Sequence, residues 1–339
     1  MTSWQMHGVA AFTRLVYRRK FTSEDAGRRT LTRPKGPSAP PKLRFPVTLS
    51  HKHRFPMYEV KAGGPAIVVY LHGGAYTSEI VGQHWSLIEF LASRTGCDVH
   101  VPIYGLAPEY DGLAALEFVT EVIAAADRPV YLVGDSAGGG LALLAAQALL
   151  ADAGAAALPG DAGAAAPLSE AGAAPSGEAG AASAISDVGP AGDALLDGAG
   201  AARAVAGVVG MTLLAPWLDL SMDNPGIEAI EPHDPWLARP GLRPIADAWA
   251  NGLPLKDPRV SPIYGDLTGL PPTQILVGTR DITLADCRTL RDRLPSTTEL
   301  TFHEEPGALH VYPLLPVPEA RAGRQMIANH IRSALPQPA

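Results

Sequence analysis

The sequence predicts an α/β fold, a mostly parallel eight-stranded sheet flanked by helices, from three observations. Short apolar runs alternate with helix-like stretches along most of the chain. The runs are rich in β-branched residues and show little polar alternation, the pattern of strands covered on both faces. One segment that fits neither pattern interrupts the alternation as an insertion. Strand, helix, strand in series makes neighbouring strands parallel. With 339 residues, 47% of them hydrophobic, the chain can bury a large core.

Taken in order, residues 1–45 form a basic arm. Residues 1–44 hold ten of the 27 Lys and Arg but only Glu24 and Asp25 among 34 acids, a local balance of +8. The rest carries −15, giving −7 in all. A basic arm lying on an acidic body is the expected arrangement. Nucleic acid is not expected as a partner, because no stacking aromatics are interleaved with the arginines. Contact of residues 8–20 with a membrane surface is the weaker reading of the same charges.

Residues 46–339 form the main domain. Alternating apolar and basic positions over 43–61 predict an antiparallel hairpin at the sheet edge. Strand-like runs follow at 66–73, 98–105, 130–134, 207–216, 274–281 and 299–306. Helix-like separators cover 85–94, 113–126, the stretch after Ser136, and 283–294, and a last helix closes the chain at 318–335. Residues 151–206 stand apart: AGAA-like fragments, no aromatic residue, seven acids and the single base Arg203. Such a composition cannot offset the entropy of ordering itself, so a disordered insert without catalytic role is expected there.

Several classes are set aside on composition. Cys97 and Cys287 show neither C-x-x-C nor zinc spacing, so no disulfide framework or metal site is expected. The N-terminus carries its charges after a very short apolar stretch, the reverse of a secretory signal, and no run of about eighteen apolar residues stands out. A soluble cytoplasmic protein is the expectation.

In VYLVGDSAGGGLALL, residues 130–144, a buried strand turns sharply into a helix with Ser136 at the corner. Gly134 and Gly138 remove the side chains that would crowd such a turn. Ligands and reactive groups of open parallel sheets gather at the carboxyl ends of strands. Three other strand ends carry such groups. His72, Gly73, Gly74 and Ala75 stand at the end of the 66–73 run, His72 64 positions before Ser136, and their backbone N–H groups suit an anion cradle. Asp281 stands at the end of the 274–281 run, and His310 follows the last strand. A serine hydroxyl needs a base, and that base needs a carboxylate to fix its tautomer. Ser136, Asp281 and His310 stand in that role, with Gly73, Gly74, Ala75 and Ala137 as candidate oxyanion donors. Such serine chemistry needs no cofactor. Asp219, Asp257 and Asp286 are rival acids with weaker placement. His84, His100, His233 and His303 have no matching position, and His72 reads as a support for its loop.

HGGA at 72–75, YGLAPEY at 104–110, GDSAGG at 134–139, APWLDLS at 215–221 and GTRD followed by His310 resemble the hormone-sensitive-lipase branch of the α/β-hydrolases. The resemblance covers about residues 60–335 without the insert. It implies a serine carboxylesterase with a cap built from the arm and part of 221–255, and aromatic residues in the pocket would make small to medium acyl esters the expected substrates. Tyr76, Trp85, Trp217 and Trp236 are then candidates for lining the pocket or cap. A binding protein of this fold without turnover, or an amidase with the same triad, is the alternative. Ala75 replaces the third glycine of the usual H-G-G-G, which implies a narrowed alcohol side of the pocket. Gly105 replaces a common arginine, which implies altered packing beyond that loop.

Overall fold

The computed structural model describes residues 2–157 and 207–335. From 158 onward the insert expected to be disordered lies outside the described residues. Residues 151–157 do not belong to it: they continue the helix after Ser136, as an alanine-rich stretch favours.

The arm folds into helices α1 (Trp4–Val16) and α2 (Glu24–Leu31), each started by a serine whose side chain accepts from a first-turn N–H: Ser3 from Met6 and Ser23 from Ala26. Strands β1 (Val47–Ser50) and β2 (Met57–Val60) form the edge hairpin. There follow β3 (Ile67–Leu71), α3 (Gly82–Thr95), β4 (Asp98–Pro102), α4 (Gly112–Ala124), β5 (Val130–Asp135) and α5 (Ala137–Ala157). After the insert come β6 (Val208–Leu214), α6 (Ile227–Ile230), α7 (Arg239–Ala250), β7 (Thr273–Gly278), α8 (Leu284–Arg293), β8 (Leu300–Glu305) and α9 (Pro318–Ala334).

The eight strands form one sheet in the order β1-β2-β4-β3-β5-β6-β7-β8. β1 and β2 pair antiparallel, as do β2 and β4, and every other pairing is parallel. All residues of β3, β5 and β7 are buried, consistent with helices on both faces. By contrast, β8 alternates little and is half-buried, as an edge strand can be. Ala137–Gly154 has the length and hydropathy to cross a membrane, which corrects the sequence expectation, but it is the mostly buried helix α5 on the central strands.

The arm reaches the loops after β3 and β4, where Lys35 Nζ donates to the carbonyls of Thr77 at 3.0 Å and Ala107 at 2.8 Å. Ser3 ties it to α9, its N–H and hydroxyl donating to Glu319 at 2.7 and 2.8 Å. α2 packs on α7 through facing glycines: a Cβ on Gly27 would lie 2.1 Å from the Gly241 carbonyl oxygen. That approach leaves no room for a side chain, so arm and cap helix make one layer.

Candidate active site

Ser136 is the single residue between β5 and α5, with φ +53°. A non-glycine residue there carries about 1–3 kcal/mol of backbone strain, which persists only if its surroundings impose it. They do: its N–H donates to the Leu214 carbonyl at 2.8 Å, and its own carbonyl accepts from Gly139, Gly140 and Trp217. The crossing of strand and helix is close enough that a Cβ on Gly138 would meet the Leu71 oxygen at 2.1 Å. Gly134 is equally confined, at 2.2 Å from the Gly138 oxygen.

His310, in the loop after β8, and Asp281, in the turn after β7, are both buried. The imidazole Nε2 lies 2.9 Å from Ser136 Oγ, and Nδ1 lies 2.8 Å from Asp281 Oδ2. A carboxylate only accepts, so Nδ1 carries the proton and Nε2 turns its lone pair toward the serine hydroxyl. Asp281 is held in turn by the Thr283 N–H at 3.0 Å. Burial alone would depress the His310 pKa. The Asp281 charge and hydrogen bond, with Asp234 and Asp135 farther off, more than reverse this and hold it above the ordinary imidazole value.

Asp234 is a member of this group that the sequence reading missed. Its Oδ2 accepts from the Ile282 N–H at 3.0 Å, joining the cap to the residue after Asp281. Its Oδ1 accepts from Trp236 and Leu237 at 2.7 and 2.9 Å. Burial chiefly, then the Asp281 charge, push its carboxyl up to about 6. A signal existed in Asp234-Pro235, a turn-forming pair whose aspartate bonds its own backbone two and three residues on. Nothing in that pattern told which strand end the turn would meet.

After β3 the backbone is strongly bent: φ is +122° at Gly74, +53° at Ala75 and +57° at Tyr76. Gly73 abuts the nucleophile turn, since a Cβ there would lie 3.0 Å from Ser136 Cβ. Among the described residues, the N–H groups of Gly73, Gly74, Ala75 and Ala137 donate to no protein acceptor. His72 supports the loop, stacking on Tyr104 at 4.6 Å and donating from Nδ1 to the Gly73 carbonyl at 2.7 Å. Burial, then the neighbouring His84, lower its pKa to about 4, so it stays neutral. Asp135 points away from the serine, accepting from the Tyr70 hydroxyl at 2.7 Å and facing His84 Nε2 at 3.3 Å.

A cavity of about 20 Å³ opens onto Ser136. Ala75 and Trp217 line it beside the serine, Met222, Ile227, Leu237 and Leu242 come from the cap, and Ile282, Thr283 and Asp286 from the turn and helix after β7. Asp286, weighed in sequence as a rival triad acid, instead lines this cavity; burial first and the Asp219 charge push it up to about 7, against a hydrogen bond from Asn224.

The aromatic candidates separate. Trp217 lines the cavity, and Trp236 meets His310 edge-on with centroids 5.7 Å apart. Tyr76 stands behind, stacked on Trp217 and Trp249, its hydroxyl donating to the Ala137 carbonyl at 2.9 Å. Trp85 is a correction: it faces the core from α3 and packs edge-on against Tyr58 of β2, away from the cavity. The spacing of α3 turns position 85 to the sheet. At Gly105 the room for an arginine is taken by the Tyr110 ring, 2.3 Å from where a Cβ would stand.

A serine, an imidazole and a carboxylate in series above a parallel sheet, beside unengaged amides, are the parts a hydrolase of acyl compounds requires. Residues 68–314 match the family described as having the alpha/beta hydrolase fold, and the chain belongs to that family. It is 29% identical over 279 residues to an acetyl-hydrolase of Streptomyces hygroscopicus, covering 79% of this chain and 75% of the relative. An esterase of Acinetobacter venetianus is 26% identical over 69% of this chain, which spans 64% of that relative. Among solved structures, an esterase from the bacterial hormone-sensitive lipase family superposes with a TM-score of 0.69 at 22% identity, over 99% of this chain and 100% of the other. An esterase/lipase from an uncultured bacterium does so with 0.70 at 20% identity, over 98% and 99%. At such identity these two speak for the fold.

Proposed function

We propose that this chain hydrolyses carboxylic esters with short acyl groups through an acyl-serine intermediate. The observation that carries the reading is the unbroken series Ser136 Oγ, His310 Nε2, His310 Nδ1, Asp281 Oδ2, with links of 2.9 and 2.8 Å. In the first half, His310 Nε2 takes the hydroxyl proton as Oγ bonds to the ester carbonyl carbon. The oxygen becomes an oxyanion, received by N–H groups of Ala137 and of the Gly73–Ala75 loop. His310 then returns its proton to the departing alcohol oxygen. In the second half water takes the place of serine, with the same imidazole as base and then acid.

The walls of the cavity argue for short acyl groups: Trp217, Met222, Ile227, Leu237 and Leu242 leave only a small apolar space beside Ser136. The similarity to an acetyl-hydrolase points the same way.

The test is turnover of p-nitrophenyl esters of increasing chain length by the parent, Ser136→Ala, His310→Ala and Asp281→Asn. The expected result is kcat/KM falling with chain length, with Ser136→Ala and His310→Ala losing about 10⁴–10⁶-fold in kcat. Equal activity of Ser136→Ala and parent would end the mechanism; a monotonic rise toward long chains would end the size assignment alone.

A further inference from the structure

We infer that α1 is a docking surface for an anionic lipid surface. Its inner face, Met6, Ala10 and Thr13, is buried against the body. Its outer face presents Trp4, Phe12, Leu15 and Val16, 79%, 56%, 62% and 43% exposed. Helical spacing puts Trp4, Phe12 and Leu15 on one side of the cylinder. Among the described residues eight large hydrophobic side chains are exposed, and half of them sit on these thirteen residues. Scattered apolar residues need no explanation, but a contiguous stripe led by a tryptophan does.

The charges beside the stripe choose the occupant. Arg14 and Arg19 are exposed, and among the described residues their guanidinium groups meet no carboxylate or other acceptor. Apolar anchors flanked by free cations are the composition of helices lying in the headgroup region of anionic bilayers. A second copy docked on this face would bring the same arginines again and no acid from residues 4–16 to pair with them, whereas an anionic headgroup supplies the missing charge. The acidic remainder of the chain is repelled by the same lipid surface, so only the arm can approach it.

The helix also leads directly to the site. Tyr17, at its end, lies 5.5 Å from Trp236, which meets His310 edge-on. Arg18 donates to the carbonyls of Leu237 at 3.0 Å, of Glu231 at 3.2 Å, and of Asp234. A lipid surface under α1 therefore lies close to the cap turn beside the cavity. This inference stands whether or not the triad reading does.

The experiment is co-sedimentation of the full chain with vesicles of phosphatidylcholine alone and of phosphatidylcholine with phosphatidylglycerol. Binding to the anionic vesicles, weakened by salt, is expected. Trp4→Ser/Phe12→Ser and, separately, Arg14→Glu/Arg19→Glu should each lower the bound fraction by about tenfold while soluble-ester turnover and thermal midpoint stay at the parent values. Sedimentation indifferent to these substitutions, or equal with both vesicle types, overturns the inference. So does a concentration-dependent dimer that the Trp4→Ser/Phe12→Ser pair abolishes, which would assign the face to contact between copies.

Discussion

His310 holds its base form only while the pH stays above its pKa, and that value is raised by carboxylates on three different segments. Asp281 contributes most, yet Asp234, fixed by three backbone N–H groups, adds negative charge without touching the imidazole. The sign follows: negative charge favours imidazolium, so activity is lost on acidification at a pH above the ordinary 6.5. Asp234→Asn removes part of that charge and keeps the amide acceptor for the turn. The acid limb of the kcat/KM profile should therefore move to lower pH in the variant, with the alkaline plateau little changed. An unmoved limb would show that Asp234 acts only as a brace for the turn. The serine is governed by the same economy of placement, since its left-handed backbone aims the hydroxyl upward from the sheet and is imposed by four backbone bonds rather than by its own preference.

Among the elements, the crossing of β3, β5 and α5 sets the geometry. β3 and β5 are paired from Ile67–Val130 to Leu71–Gly134, so the Leu71 carbonyl cannot retreat from α5 without breaking the sheet. Gly138→Ala would place its methyl 2.1 Å from that oxygen. The expected outcome is a destabilisation of about 1–3 kcal/mol or more, read by chemical denaturation. Activity should fall further than stability, because the overlap is relieved by moving the amide of Ala137 and the serine turn. A variant with parent-like denaturation would mean that helix and strand separate freely. The arm belongs to this scale too: its glycine contact with α7 and the Arg18 bonds make the cap a single layer rather than a loose flap.

For the whole molecule, the buried ionisable groups decide how stability follows pH. Asp286, ordinarily near 3.8, is pushed up to about 7 in the folded chain. Below 3.8 it is protonated folded and unfolded; between the two values the native state holds the extra proton, so its contribution to stability is lost as pH rises through that window. The buried His72 and His330 and the half-buried His100 have lowered values and act in the opposite sense, so the parent profile alone is a mixture. Asp286→Asn isolates the term, and Asn224 retains an acceptor. The thermal midpoint of the variant minus that of the parent should grow from about pH 4 to about pH 7 and then level off. A difference independent of pH would contradict this.

Much of this was legible in the chain itself. Alternation of β-branched runs with helical stretches determined the sheet and its helices, and glycines at 134 and 138 marked the turn because no side chain fits there. Runs at 66–73, 274–281 and 299–306 indicated where His72, Asp281 and His310 would stand, although the strands themselves end at 71, 278 and 305. Those signals are local: they depend on period, on backbone strain and on residues within a few positions of one another. What only the tertiary structure decided is which distant faces meet. It put Asp234 under Asp281 and Asp286 into the cavity wall, turned Trp85 into the core, and filled the space beside Gly105 with Tyr110. Each depends on the angle and depth at which separate elements pack, a property set by the sum of many weak contacts across the fold, which no short stretch of sequence encodes.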